Sequence, residues 1–216
     1  DTADIYSRIS NPTVNQLEAK INVLEGGTGA LALSSGHAAV TLTVLNLCSA
    51  GDHFVAAKSL YGGTINLFSH TFKKYGITCT FVNQDEDLEE LQKVIQSNTK
   101  LIFAESLTNP GMEVLDFEKF SAFATQNELP LIIDNTFPTP VLCQPFKHGA
   151  NIIIHSTTKF IDGHATSLGG VIVDGGNFNW ANGKFPDFTE PDESYHGVKY
   201  AEDFKENPFV VKARTQ

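Results

Sequence analysis

The feature that most constrains this chain is a rhythm along its 216 residues, in which apolar or β-branched runs of four or five residues alternate with helix-length segments of ten to fifteen. Short buried strands separated by helices specify βαβ units, and so an α/β fold with a mostly parallel sheet covered on both faces. The pattern predicts strands at 30–33, 53–57, 78–82, 101–104, 131–134, 151–154 and 168–173. Helices are expected at 13–25, 38–48, 85–95 and 116–127, with another running from the Tyr61-Gly62-Gly63 loop to about residue 75. In the first helix, Val14, Leu17, Ile21 and Leu24 fall at the spacing of one apolar face, with Asn11-Pro12 as its start and Gly26-Gly27 as its stop. Residues 1–11 read as an irregular polar arm and 12–175 as one domain. From 176 to 216 the chain turns to Gly, Asn, Asp, Pro and aromatics, which predicts a long loop opening into a following segment.

Composition excludes several partners. The net charge is −10 and no Lys/Arg cluster exists, so the chain lacks the basic patch that nucleic acid requires. No apolar run reaches membrane-spanning length, which argues against a membrane partner. Cys48, Cys79 and Cys143 are scattered and without metal-like spacing, as expected of reduced thiols in a cytoplasmic protein. The seven histidines show no paired ligand spacing, so no metal site is expected. The chain opens at Asp1 rather than at Met, which reads as a piece of something longer.

Two nucleotide motifs fail. Gly26-Gly27-Thr28-Gly29 lies between a helix and a strand, the wrong order for a dinucleotide fingerprint, and no glycine-rich loop ends in Gly-Lys-Ser/Thr. The chemistry gathers elsewhere. In an open α/β sheet, ligands sit beyond the carboxyl ends of the strands. Polar residues recur there: Ser35, Gly36 and His37, then Tyr61, Asn109, Asp134, and Ser156, Thr158 and Lys159 after the isoleucine run 152–154. Each alone has a structural explanation as a turn or a close contact. Together they converge on one edge.

The segments YSRISNPT, LSSGHAA, LYGGT, ESLTNP, IIDNTF and HSTTKFIDGH, in this order, resemble the Cys/Met-metabolism family of pyridoxal-phosphate (PLP) enzymes. The resemblance implies the three-layer α/β/α large domain of the aspartate-aminotransferase type (fold type I). It implies that a C-terminal small domain, with the arginine for the substrate carboxylate, lies outside this chain. Within the family, the tail FNWANGKFPDFTEPDESYHG is similar to that of O-acetylhomoserine sulfhydrylases, and Gly63 stands where methionine γ-lyases usually carry a cysteine. The implied reaction is replacement of the acetate of O-acetylhomoserine by sulfide, giving homocysteine. Cystathionine γ-synthase, a γ-lyase, or a non-catalytic cofactor-binding remnant are the alternatives.

The resemblance assigns roles residue by residue. Lys159 would attach covalently to the cofactor aldehyde and carry protons, and Asp134 would face the pyridine nitrogen. Tyr61 would stack on the ring and assist the leaving group, and Asn109 would bond the ring's phenolic oxygen. Thr136 belongs to the cofactor set, and Ser35, Gly36, His37, Ser156 and Thr158 would surround the phosphate. A helix start contributes only ~0.3–1 kcal/mol per charge, too little alone for a near-dianion. A guanidinium is wanted, and the resemblance implies that Tyr6 and Arg8 reach the phosphate of a neighbouring subunit, making a homo-oligomer of at least two chains, and at full size a tetramer. The aromatic tail 177–197 reads either as a packed surface loop or as a cover over the approach to the cofactor, admitting sulfide and excluding bulkier thiols.

Overall fold

The isoleucines at 152–154 show how the layers arise. In the computed structural model, which describes Asp4 and residues 6–215, they open strand β6 (Ile152–Ser156), where side chains alternate between faces. Ile152 and Ile154 enter the larger core with Leu31 and Ile172, while Ile153 joins Ile21, Ala30, Val171 and Val173 on the other side. Both faces of the sheet are thus covered, as continuous β-branched strands demand.

The other strands are β1 (Gly29–Leu33), β2 (His53–Ala57), β3 (Thr78–Val82), β4 (Thr99–Glu105), β5 (Leu131–Asp134) and β7 (Gly170–Asp174). Their order is β1-β7-β6-β5-β4-β2-β3. Neighbours from β3 to β6 pair in parallel. Strand β7 is antiparallel to both β6 and β1, so it alone runs backwards and six strands end on one edge. All seven stand where the alternation places them, with small shifts at their ends.

The helices are α1 (Pro12–Glu25), α2 (Gly36–Leu45), α3 (Gly62–Asn66), α4 (Phe72–Lys74), α5 (Leu88–Gln92), α6 (Phe117–Gln126), α7 (Thr139–Leu142), α8 (Pro186–Thr189), α9 (Tyr200–Asp203) and α10 (Pro208–Thr215). A π-helical turn, Leu67–Thr71, joins α3 to α4, so the segment after Tyr61 is one widened helix. Asn11 caps α1 by accepting from Thr13 N–H and Val14 N–H, and Gly26 ends it in the left-handed region at φ 78°.

The orientation of α1 differs from the expected one. Its buried residues are Glu18, Ile21 and Glu25, while Leu17 and Leu24 remain 37% and 45% exposed. Polar partners turn the helix. Glu18 accepts from Arg214 of α10 at 2.6 Å and from Ala32 N–H at 2.7 Å. Glu25 Oε1 meets His155 Nε2 at 2.5 Å and accepts from the Asn135 amide at 3.0 Å. Ser106 completes this buried chain by donating to Asn135 Oδ1 at 2.8 Å. Removing one member strands the others, at roughly 3–5 kcal/mol for a buried pair. Glu25→Ala is thus expected to lower unfolding free energy by about that amount. Urea denaturation reads it, and a loss below about 1 kcal/mol would show that the network adds little.

The tail also differs. Residues 176–215 are not an open loop: α8, α9 and α10 fold there, and Trp180, Phe185 and Phe188 are buried. Trp180 stacks on Phe188 and Phe209 at 4.4 and 5.5 Å between ring centres. Asn177 donates to Ala150 O, Asn182 to Glu128 O, and Lys184 Nζ to Asn127 O. Those acceptors all precede β5 or β6, so the aromatic tail seals the amino ends of the strands. It lies opposite the edge that a cover over the cofactor would occupy, because rings of this size are stabilised most by continuity with the existing core.

Candidate active site

A cavity of about 450 Å³ opens at the carboxyl edge. It is lined by Ser35, Gly36, His37, Tyr61, Asn109, Asp134, Thr136, Ser156, Thr158 and Lys159, every expected residue except the two of the arm. Tyr6 and Arg8 are exposed and lie outside it, with the Arg8 guanidinium 5.8 Å from the Tyr6 ring. No residue of the 177–197 tail lines it.

Asp134 closes β5 at the cavity floor. Its Oδ1 accepts from Thr136 N–H at 3.0 Å and from Thr136 Oγ1 at 2.5 Å. Among the described residues, no protein donor is assigned to Oδ2. The residue is partly open to the cavity and enclosed by protein elsewhere. Burial pushes its pKa up, opposed by the Thr136 hydrogen bonds and the nearby His155. A cation presented from the cavity would hold it ionised. Thr136 also accepts from Ser156 N–H at 2.8 Å, so it locks the ends of β5 and β6 together.

The anion cradle comes from β1, α2 and β6. Ser35 Oγ caps α2 by accepting from Ala38 N–H at 3.0 Å, leaving its own proton for another acceptor. The N–H groups of Gly36 and His37, in the first turn of α2, have no intrahelical acceptor and open on the cavity. A Cβ at Gly36 would lie 2.5 Å from Ser156 Cβ, so only glycine lets this helix start approach β6 so closely. Thr158 departs from expectation. Its hydroxyl donates to Gly169 O at 3.2 Å and accepts from Gly169 N–H at 3.1 Å, so it fastens the β6–β7 connection instead of offering its proton to the cavity.

Lys159 stands exposed at the rim, the only lysine among the lining residues. Tyr61 lies across the cavity, its ring leaning over Gly63, where a Cβ would come within 2.4 Å of Tyr61 Cε1. Glu105 is the residue the sequence reading missed. It closes β4 beside Asp134, is 5% exposed, and lines the cavity. Burial and the Asp134 charge push its pKa to about 7, against hydrogen bonds from Tyr61 and Asn109 N–H. The signal that singled out Asp134, an acid ending an apolar strand, was present at Glu105 too.

One edge thus gathers an amine, a carboxylate with a free oxygen, an anion cradle and an aromatic wall. That layout suits a flat, anionic, aldehyde-bearing cofactor with a protonated ring nitrogen. The Cys/Met metabolism PLP-dependent enzyme family matches residues 1–190, and the chain belongs to that family. It is 50% identical to an O-acetyl-L-homoserine sulfhydrylase of Leptospira meyeri, over 99% of this chain and 50% of that protein. It is 46% identical to the homocysteine/cysteine synthase of Saccharomyces cerevisiae, over 98% of this chain and 48% of the other. The chain therefore spans about half the length of these curated relatives. Among solved structures, a putative O-acetylhomoserine (thiol)-lyase of Campylobacter jejuni carrying a pyridoxyl-lysine monophosphate superposes with a TM-score of 0.87 at 36% identity, covering 100% of this chain and 59% of that one. The fold is that of the PLP-dependent fold type I large domain.

Proposed function

We propose that the protein containing this chain catalyses PLP-dependent γ-replacement on O-acetyl-L-homoserine, with sulfide as the incoming nucleophile and L-homocysteine and acetate as products. The observation that carries the reading is the convergence of Lys159, Asp134, Tyr61, Asn109 and the α2 start on one cavity. The relatives' names supply the substrate. When bound, PLP supplies an electron-withdrawing ring that takes up the electron pair left when the substrate Cα loses its proton.

The chain's own residues do the rest. Lys159 Nζ would hold the cofactor covalently until the substrate amine displaces it, and the freed amine would then remove the Cα proton and move the Cβ proton whose loss accompanies departure of acetate from Cγ. Asp134 would keep the ring nitrogen protonated, and Thr136 holds the carboxylate in place. Tyr61 would stack on the ring and its phenol would assist at the leaving group, while the Asn109 side chain would donate to the ring's phenolic oxygen. Gly36 N–H, His37 N–H and the hydroxyls of Ser35 and Ser156 hold the phosphate, with Thr158 fixing the strand connection beneath it. Incubating the full-length enzyme with O-acetylhomoserine and sulfide, and then with cysteine in place of sulfide, tests the reading. Homocysteine is expected in the first mixture. Formation of cystathionine at a higher kcat/KM would favour cystathionine γ-synthase instead.

The phosphate still lacks a guanidinium, and the exposed position of Arg8 supports its use by a neighbouring copy, together with Tyr6. The exposed apolar group Leu17, Val23, Leu24, Val141 and Leu142, on adjacent α1 and α7, supports a homo-oligomer of at least two chains and, at full size, a tetramer. Arg8→Ala and Lys159→Ala variants should each be inactive but recover part of the wild-type activity when mixed as heterodimers. Failure to complement after verified subunit exchange would place Arg8 in its own subunit's site or outside any site. The three unpaired cysteines support a cytoplasmic site of action.

A further inference from the structure

We propose that Glu105 is a positioning residue that fixes the two segments carrying Tyr61 and Asn109 against the cofactor ring; this rests on the reading of the cavity given above. Its Oε1 accepts from Tyr61 N–H at 2.7 Å and its Oε2 from Asn109 N–H at 3.1 Å. These N–H groups belong to different segments, the β2–α3 loop and the turn after β4. Tyr61 begins α3 with no side-chain cap of its own, so this carboxylate anchors the helix start.

The chemistry of the clamp requires an anion. Two N–H donors need two acceptor oxygens, and only an ionised carboxylate presents both; a protonated acid or an amide keeps one good acceptor and turns a donor toward the second N–H. That anion stands in a costly place. Glu105 and Asp134 are register partners on adjacent parallel strands, so two carboxylates share one face of the sheet. A clamp serving the fold alone would cost less with its carboxylate placed away from Asp134. A cationic ring nitrogen opposite Asp134 offsets the repulsion, so filling the cavity and tightening the Tyr61–Asn109 clamp favour one another.

The test uses the full-length enzyme with Glu105→Gln, which keeps the volume, and Glu105→Asp, which keeps both acceptors on a shorter arm. Three quantities are read: melting of the cofactor-free protein, the Kd for PLP by absorbance titration, and the visible circular dichroism per bound PLP. For Glu105→Gln the expected result is an unlowered melting temperature, a Kd raised roughly 10- to 100-fold, and a visible dichroic band reduced because the ring is no longer held at one angle. Glu105→Asp should recover part of both cofactor signals. Wild-type Kd and dichroism in Glu105→Gln would overturn the proposal, as would a loss of cofactor-free stability with unchanged PLP binding. If wild-type protein binds PLP no better than Lys159→Ala, the reading of the cavity falls and the clamp with it; wild-type binding with an indifferent Glu105→Gln defeats the clamp alone.

Discussion

Replacing Lys159 by alanine is expected to abolish turnover and to remove the covalent, borohydride-reducible attachment of PLP. Among the described residues no second lysine lines the cavity, and its other nitrogen base, His37, cannot form that linkage. Loss of the proton carrier alone costs roughly 10²- to 10⁴-fold. The loss of attachment compounds it. The fold should survive, because Lys159 is exposed and its only assigned hydrogen bonds are made by the backbone, N–H to Ser156 O and C=O from Gly163 N–H. Peptide mapping after borohydride reduction decides the matter. A pyridoxyl group still found on the Lys159→Ala chain would place the attachment site elsewhere.

Asp134→Asn is expected to be the next most damaging change while sparing the structure. The amide oxygen can still accept from Thr136 N–H and Oγ1, so the local hydrogen bonds that orient the side chain remain available. What disappears is the negative charge. A neutral amide cannot stabilise a protonated ring nitrogen, so the electron pair at Cα has a weaker acceptor. Removing one preorganised electrostatic partner of this kind costs roughly 10²- to 10³-fold in the proton-transfer step. Exchange of the substrate α-proton with deuterated solvent reports that step directly, without the sulfide half of the reaction. An exchange rate near the wild-type value would show that Asp134 does not face the ring nitrogen.

Much of this site was legible because it follows from short-range rules. An apolar strand closed by a polar residue is visible at Asp134 and at Ser156, and parallel strands carry such ends to a common edge whatever their separation in the chain. Glu105 carries the same signal but reads as an ordinary strand end until the N–H groups of Tyr61 and Asn109 are seen on its two oxygens. Thr158 shows the converse. Its type and position suit phosphate binding, yet its hydroxyl is committed to Gly169, a partner that only the reversed β7 brings near.

Resemblance to a family's motifs named the residues meeting at the cavity, Glu105 apart, while the sequence by itself determined the layers and the succession of strands and helices along the chain. Those depend on periodicity of two and of 3.6 residues, which is written locally. Tertiary structure alone decided which face of α1 is buried, because the deciding contacts are Glu25 with His155 and Glu18 with Arg214, 130 and 196 residues apart. It also decided the fate of the aromatic tail. Composition marks Trp180, Phe185 and Phe188 as rings needing cover, but burial energy is non-directional and does not say which end of the sheet supplies it. The amino ends of β5 and β6 do, through the carbonyls of Asn127, Glu128 and Ala150.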